Sequence, residues 1–214
     1  MAFFGNFKKS AAELKNLRCL VVTAILIALD LVLKGVTINI SKDLKITFAY
    51  LALASIGMLY GPVVSFLAGV VTDIIGFFLF PMGGAFNPIF TFIEAFGAMI
   101  YGVFLYNIKF SDSKTLDGKF TSKKDVKQIL RVIFAKVSVV IACNLILTPI
   151  GNIITNSMEA GTLVYGATLA KYPARLLKNA IQCPVDCLLL LGVLPIVLTA
   201  YNRVFKMRQN ITES

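Results

Sequence analysis

Read from the N-terminus, a polar and basic stretch gives way to six apolar runs, at Leu17–Leu33, Phe48–Tyr60, Val63–Phe80, Pro88–Ile108, Val126–Ile150 and Pro173–Tyr201. Five of them reach or approach the ~20 residues a helix needs to cross a hydrocarbon core about 30 Å thick. The second has thirteen residues and rises only about 20 Å, a half-span by length alone. Charge arbitrates. Six crossings from a cytoplasmic N-terminus put fourteen Lys and Arg inside and six outside, whereas a second run that failed to cross would leave about seven inside and thirteen outside. Cytoplasmic loops carry the excess of basic residues. The pattern therefore predicts an all-α integral membrane protein of six transmembrane helices with both termini cytoplasmic. Its parts are a basic leader over 1–18, a six-helix transmembrane domain over 19–202 and a cytoplasmic tail over 203–214.

Composition agrees with the pattern. Hydrophobic residues make up 57% of the 214 positions and charged residues 15%, against roughly 25% charged in soluble domains. The net charge of +10 sits at the edges of apolar runs instead of alternating with aromatics on one face, so it marks a membrane surface and not nucleic acid. Lys8, Lys9, Lys15 and Arg18 precede the first run with no small-residue cleavage pattern after them, which predicts an uncleaved, amphipathic leader. There is no histidine, which excludes His-dependent metal sites, the Ser-His-Asp arrangement and the zinc-protease helix motif. Cys183 and Cys187 are one helical turn apart and, with Cys19 and Cys143, read as buried free thiols. A phosphate-binding Gly-Lys-Ser/Thr loop is missing from the sequence, so any ATP would be used by partner subunits.

The candidate chemistry lies where polar residues enter the apolar runs, because such residues are costly in a bilayer and face a cavity, a partner or a water path. Asp30 and Lys34 end the first run; Asp73 lies two turns below the end of the third and Glu94 under two turns into the fourth. Arg175, Lys178, Asn179 and Gln182 open the last. All fall in the external half of their helices, where they can converge on one pocket. Between the third and fourth runs the stretch "FFLFPMGGAFNPIFTF" (Phe77–Phe92) breaks at Pro81, Gly83, Gly84 and Asn87-Pro88. It reads either as an ordinary external turn or as irregular backbone that lines a cavity and offers amides to a ligand. Asp73 and Glu94 read equally as ligand contacts or as partners of Arg175 or Lys178; Asp30 and Lys34 also read as a local helix pair. Asp186, beside Pro184, reads as bonding freed backbone or a polar neighbour. The polar loop "KFSDSKTLDGKFTSKKDVK" (Lys109–Lys127) reads as a solvated cytoplasmic connector, and the segment "TPIGNIITNSMEAGTLVYGATLAKYP" (Thr148–Pro173) as a lid. Three function classes follow: a small-molecule-binding transport subunit, a small solute channel, or a membrane-embedded enzyme. A channel spreads polar residues through the full depth, and an enzyme needs a nucleophile-base or metal set, so the first class is favoured.

The runs "LVVTAILIALDLVLKGVTI", "KITFAYLALASIGMLYGP", "DIIGFFLFPMGGAFNPIFTF" and "YPARLLKNAIQCPVD" together resemble, in order and spacing, the folate-type substrate-binding S-components of energy-coupling factor (ECF) transporters. The likeness covers most of Leu20–Leu198 and is carried best by Gly61-Pro62, the segment from Asp73, the F-x-P-x-F-T pattern at Phe86–Thr91, and Arg175. It implies an S-component-like bundle in the plasma membrane of a Gram-positive-type bacterium. Such a protein binds folate, or another vitamin of pantothenate or pyridoxine type, and delivers it to a transmembrane coupling subunit with two cytoplasmic ATPases; it is not itself an enzyme and holds no cofactor or metal. The ligand-binding residues it implies are Lys34, Asp73, Phe77, Phe86, Asn87, Thr91, Glu94, Arg175, Lys178 and Asn179. Ala24 and Ala28, four apart on one helix face, match the small-residue patch that docks the coupling subunit.

Overall fold

The corner at Gly61-Pro62 shows how this chain punctuates its helices. In the computed structural model, which describes residues 2–36, 38–39, 45–80, 86–108, 123–162 and 165–212, Gly61 takes φ +85°, the left-handed region in which a side chain is strained. It closes α3 (Tyr50–Tyr60), and Pro62 opens α4 (Pro62–Leu79) at the first helical position, where its missing N–H costs nothing. Proline likewise opens α5 (Pro88–Leu105), with the Asn87 side chain accepting from the Ile89 amide. Gly102 of α5 lets that helix lie against the corner: a Cβ there would sit 2.5 Å from the Pro62 Cα.

The corner is fastened from a third element. The leader forms α1 (Ala2–Glu13), which meets α2 (Leu17–Gly35) at a bend of 87°. Ser10 of α1 is fully buried; its hydroxyl donates to the Tyr60 carbonyl at 2.7 Å and accepts from the amides of Val63 at 3.0 Å and Val64 at 3.3 Å. One side chain thus caps the end of α3 and the start of α4.

α3 is the hub. Nine of its eleven residues are buried, as expected of a helix apolar on every face. Leu51, Ala54 and Met58 join α5, α6 (Lys123–Val139) and α9 (Tyr172–Thr212) in one core, while Leu53, Ile56 and Tyr60 join α2 and α4 in another. The second predicted run is thus helical only over Tyr50–Tyr60. Eleven residues rise about 16 Å, and their apolar character reflects burial among helices instead of contact with lipid. A two-residue antiparallel ladder, β1 (Ile38–Asn39) with β2 (Lys45–Ile46), precedes it.

Among the described residues, four helical stretches are long and apolar enough to cross a membrane, Pro62–Leu79, Pro88–Leu105, Val126–Met158 and Tyr172–Phe205, or five when the bent α1–α2 pair counts as one. Their outer faces carry the exposed apolar residues of a multi-pass membrane protein, Phe78, Ile181 and Leu188 among them. The fifth stretch overruns its predicted end at Ile150. α6 passes through a π-helical segment, Val140–Leu147, into α7 (Thr148–Ala160), so the first half of the expected lid is helix. Pro149 cannot donate backward, and the Leu145 carbonyl accepts instead from the Tyr172 hydroxyl at 3.2 Å. The short α8 (Gly166–Ala170) leads into α9, which continues through the expected tail to Thr212. The glycine break over 81–85 and residues 109–122 of the connector lie outside the described residues, and the connector's end, from Lys123, is the first turn of α6 instead of loop.

Candidate functional site

Between α3, α5, α6, the π segment and α9 lies a cavity of about 630 Å³. On α9 its wall runs from Ala174 to Asp186, with Lys171 just before the helix, on α5 from Phe90 to Tyr101, and on the antiparallel α6–α7 stretch from Thr148 to Lys136. The stretch of α9 from Ala174 to Asp186 spans about 18 Å. The cavity is therefore elongated, with two different ends.

The first end lies at the starts of α9 and α5. Lys171 comes from the turn between α8 and α9, Arg175, Lys178 and Asn179 from α9, Asp73 from α4, Glu94 from α5 and Lys34 from the last turn of α2. Lys34 Nζ is 2.5 Å from Glu94 Oε1 and 3.4 Å from Asp30 Oδ2, and donates to the Thr72 carbonyl at 3.2 Å. It ties α2 to α4 and α5. Asp30 is fully buried, so the lysine is the counter-ion of a carboxylate that has lost its water. The pairing expected of Glu94 with Arg175 or Lys178 is thus made by Lys34, and Asp30–Lys34 is more than a local helix pair. Asp73 accepts from the Thr91 hydroxyl at 2.5 Å. Asn179 accepts from Asn144 and donates to the Arg175 carbonyl, both at 2.9 Å. Among the described residues, Arg175 and Lys171 form no ion pair.

The second end was not recognised as part of the site from sequence. Lys136 Nζ lies 2.8 Å from Asp186 Oδ2 and 4.0 Å from the centre of the Tyr50 ring, while the Tyr50 hydroxyl donates to Asp186 Oδ1 at 3.0 Å. The polar neighbour expected of Asp186 is this pair. Lys136 is 5% and Asp186 2% exposed. Tyr101 also lines this end, and among the described residues its buried hydroxyl has no hydrogen-bond partner. The available signal was a lone cation and a lone anion, each deep within one of the two longest apolar runs.

Six of the ten expected ligand residues, Lys34, Asp73, Glu94, Arg175, Lys178 and Asn179, line the cavity. The other four do not. Phe77 and Phe86 pack edge to face at 5.3 Å, Asn87 caps α5 and donates to Thr155 at 2.6 Å, and Thr91 holds Asp73. Ala24 and Ala28 are exposed on α2 beside Leu20, Val21, Ile25 and Val32.

Comparison with known proteins accords with this geometry. The chain is 27% identical to "Folate transporter FolT" of Clostridium novyi over 198 residues, covering 92% of this chain and all of that protein. A shorter match, 31% identical over 94 residues, is to "Uncharacterized protein MG313 homolog" of Mycoplasma pneumoniae, over 42% of this chain and 33% of that one. The fold is similar to that in "Crystal structure of FolT bound with folic acid", with TM-score 0.61, 27% identity, and coverage of 82% of this chain and 91% of that one. The family model "ECF-type riboflavin transporter, S component" matches residues 15–190. The chain belongs to this family of ECF-type S components, membrane subunits that bind a substrate for transport and are not enzymes.

Proposed function

We propose that this S component binds folate in the elongated cavity and hands it to an ECF module, a coupling subunit with two ATPases, in the plasma membrane of a Gram-positive-type bacterium. The observation that carries the cargo assignment is the cavity's charge. It is lined by five cations, Lys34, Lys136, Lys171, Arg175 and Lys178, against three carboxylates, Asp73, Glu94 and Asp186. The excess lies at the start of α9. A ligand with two carboxylates at one end and a flat ring at the other complements that distribution, and its size suits a pocket of a few hundred Å³. Arg175, Lys171 and Lys178 receive the glutamyl carboxylates, Arg175 by the bidentate geometry that guanidinium offers. Lys34, Asp73, Glu94 and Asn179 complete the wall on that side. The likeness to FolT over 92% of this chain and all of that one supports the same reading.

Six crossings with both termini cytoplasmic remain the topology we favour. The extended residues before α3 add up to about 13 Å to its rise of about 16 Å, and irregular backbone at membrane depth is tolerated where it lines a cavity, as Thr47 does here. Ala24 and Ala28, exposed on α2, supply the docking patch.

The name of the matching family model favours a second cargo, riboflavin, which has a flat ring but no carboxylate. Native mass spectrometry of the purified protein offered equimolar folate and riboflavin separates the two. Retention of folate supports the reading; retention of riboflavin alone overturns it.

A further inference from the structure

The geometry points to a binding surface for anionic phospholipid headgroups, of the phosphatidylglycerol kind, built where the two ends of the chain meet: α1, the start of α2 and the stretch of α9 around Arg203. It lies apart from the cavity and does not depend on which cargo the cavity takes.

α2 exposes Leu20, Val21, Ile25 and Val32 along its length, as a helix in contact with acyl chains does, and α1 leaves it at a bend of 87°. A basic helix at right angles to a membrane-crossing one lies along the bilayer surface, at the depth of the headgroups. α1 is held there by one face. Ser10 is buried in the α3–α4 corner, and Leu14, four residues on, packs against the core that contains Cys19 and Tyr60. The positions that face away from this stripe are Lys8, Lys9 and Ala12, all exposed.

The end of α9 is brought to the same place. The Arg18 guanidinium lies 4.3 Å from the centre of the Phe205 ring, and Tyr201 packs on that ring at 4.5 Å and on Tyr60 at 6.1 Å. Arg203 thereby joins Lys8, Lys9, Lys15 and Arg18, although 185 positions separate it from Arg18. All five are exposed, and among the described residues none forms an ion pair. The acid described on these stretches is the half-buried Glu13. Five cations gathered against one acid repel each other and call for an anion from outside the chain.

Their neighbours identify that anion as a lipid. Leu17 stands exposed between Lys15 and Arg18, and Val204 beside Arg203. A phosphate against the cation and an acyl chain against the apolar side chain is what a phospholipid offers, whereas an acidic protein surface would set Leu17 and Val204 against charge. Arg18, stacked on Phe205 by its face, keeps its N–H edge for phosphate oxygens.

The test is a titration of the full chain in detergent with a short-chain phosphatidylglycerol kept below its micelle concentration. Phosphatidylcholine of the same chain length and free glycerol phosphate are the comparisons. Lys8→Gln with Lys9→Gln should weaken phosphatidylglycerol binding about thirtyfold, with folate affinity and the thermal midpoint unchanged. Lys8→Arg with Lys9→Arg should retain it. Lys127→Gln with Arg131→Gln removes the same charge from exposed positions at the start of α6 and should leave it at the wild-type value. For the wild type, added salt should weaken the binding. An equal loss in the α6 variant would reduce the effect to net charge and overturn the surface, as would an affinity that salt does not move or no preference over phosphatidylcholine. Glycerol phosphate bound as tightly as the lipid would overturn a lipid occupant. So would a Gln pair that loses the coupling subunit while binding phosphatidylglycerol as wild type does.

Discussion

Two lysines sit beside the cavity, each against a buried carboxylate, and they are different devices. Lys34 serves two acids, Asp30 of its own helix and Glu94 of α5, and adds the Thr72 carbonyl of α4. Its bonds run between helices. Lys136 serves one acid, under the face of a tyrosine whose hydroxyl bonds that same acid, beside a hydroxyl that bonds nothing among the described residues. The first cluster ties α2, α4 and α5 together and contains the buried Asp30, whose two oxygens accept no hydrogen bond among the described residues; the second lies wholly on the cavity wall. Residue type alone does not separate a structural charge from a binding one. What separates them is the set of partners: Lys34 joins three helices, whereas Lys136 meets one acid and one ring on the cavity wall.

The contrast can be broken most directly at Lys34. Lys34→Met strands Asp30 and Glu94 without their counter-ion, and removing one partner of a buried pair costs about 3–5 kcal/mol. The ligand-free protein should show a large drop in its denaturation midpoint in detergent. Adding Asp30→Asn should restore part of it; a midpoint that stays at the wild-type value would mean the cluster does not tie the helices. Lys136→Met with Asp186→Leu should do the reverse, keeping the fold and removing affinity for the flat ring of the cargo.

Arg175→Ala sharpens the other side of the comparison. A charge-assisted hydrogen bond is worth about 1.5–3 kcal/mol, so affinity for folate and p-aminobenzoylglutamate should fall about ten- to a hundredfold while 6-methylpterin is spared. Equal losses for all three ligands would remove the arginine from the tail subsite.

Ser10→Ala calibrates both clusters, since it removes a purely structural polar group far along the chain from either. Losing a helix cap costs about 1–2 kcal/mol. The thermal midpoint should fall modestly with ligand affinity unchanged, and no shift would mean that α1 does not secure the α3–α4 corner.

The smallest expected effect on binding is at Ala24→Leu, on the exposed face of α2. Folate affinity should stay at the wild-type value in detergent, and uptake in liposomes carrying the coupling subunit and ATPases should be lost. Normal uptake would discount the patch, and lost binding would indicate a folding defect.

The fold class was legible along the chain because its causes are local. Apolar runs of helical length, proline at the start of α4 and α5, glycine at the corner between α3 and α4, and basic flanks are all properties of consecutive residues. The predicted limits Val63–Phe80 lie within a residue of α4, and Pro88 begins α5 as expected. The resemblance of those same runs carried the family. Half of the site was legible for a similar reason: a charge inside an apolar run is conspicuous, and Lys34, Asp73, Glu94 and Arg175 all line the cavity.

What required the tertiary structure is everything that depends on who stands opposite. The second run is apolar because it is buried among other helices, a cause that hydropathy cannot tell from lipid. Lys34, 60 residues from Glu94 in the chain, is the cation that reaches it, because the end of α2 packs beside α4 and α5. Lys136 and Asp186 are unremarkable singletons until α6 and α9 bring them to 2.8 Å. By itself the sequence determined how many groups would be driven out of water and in which segments; helix packing alone decided which would find a partner in the protein and which would face the cavity, because an ion pair is a matter of distance in space and not along the chain.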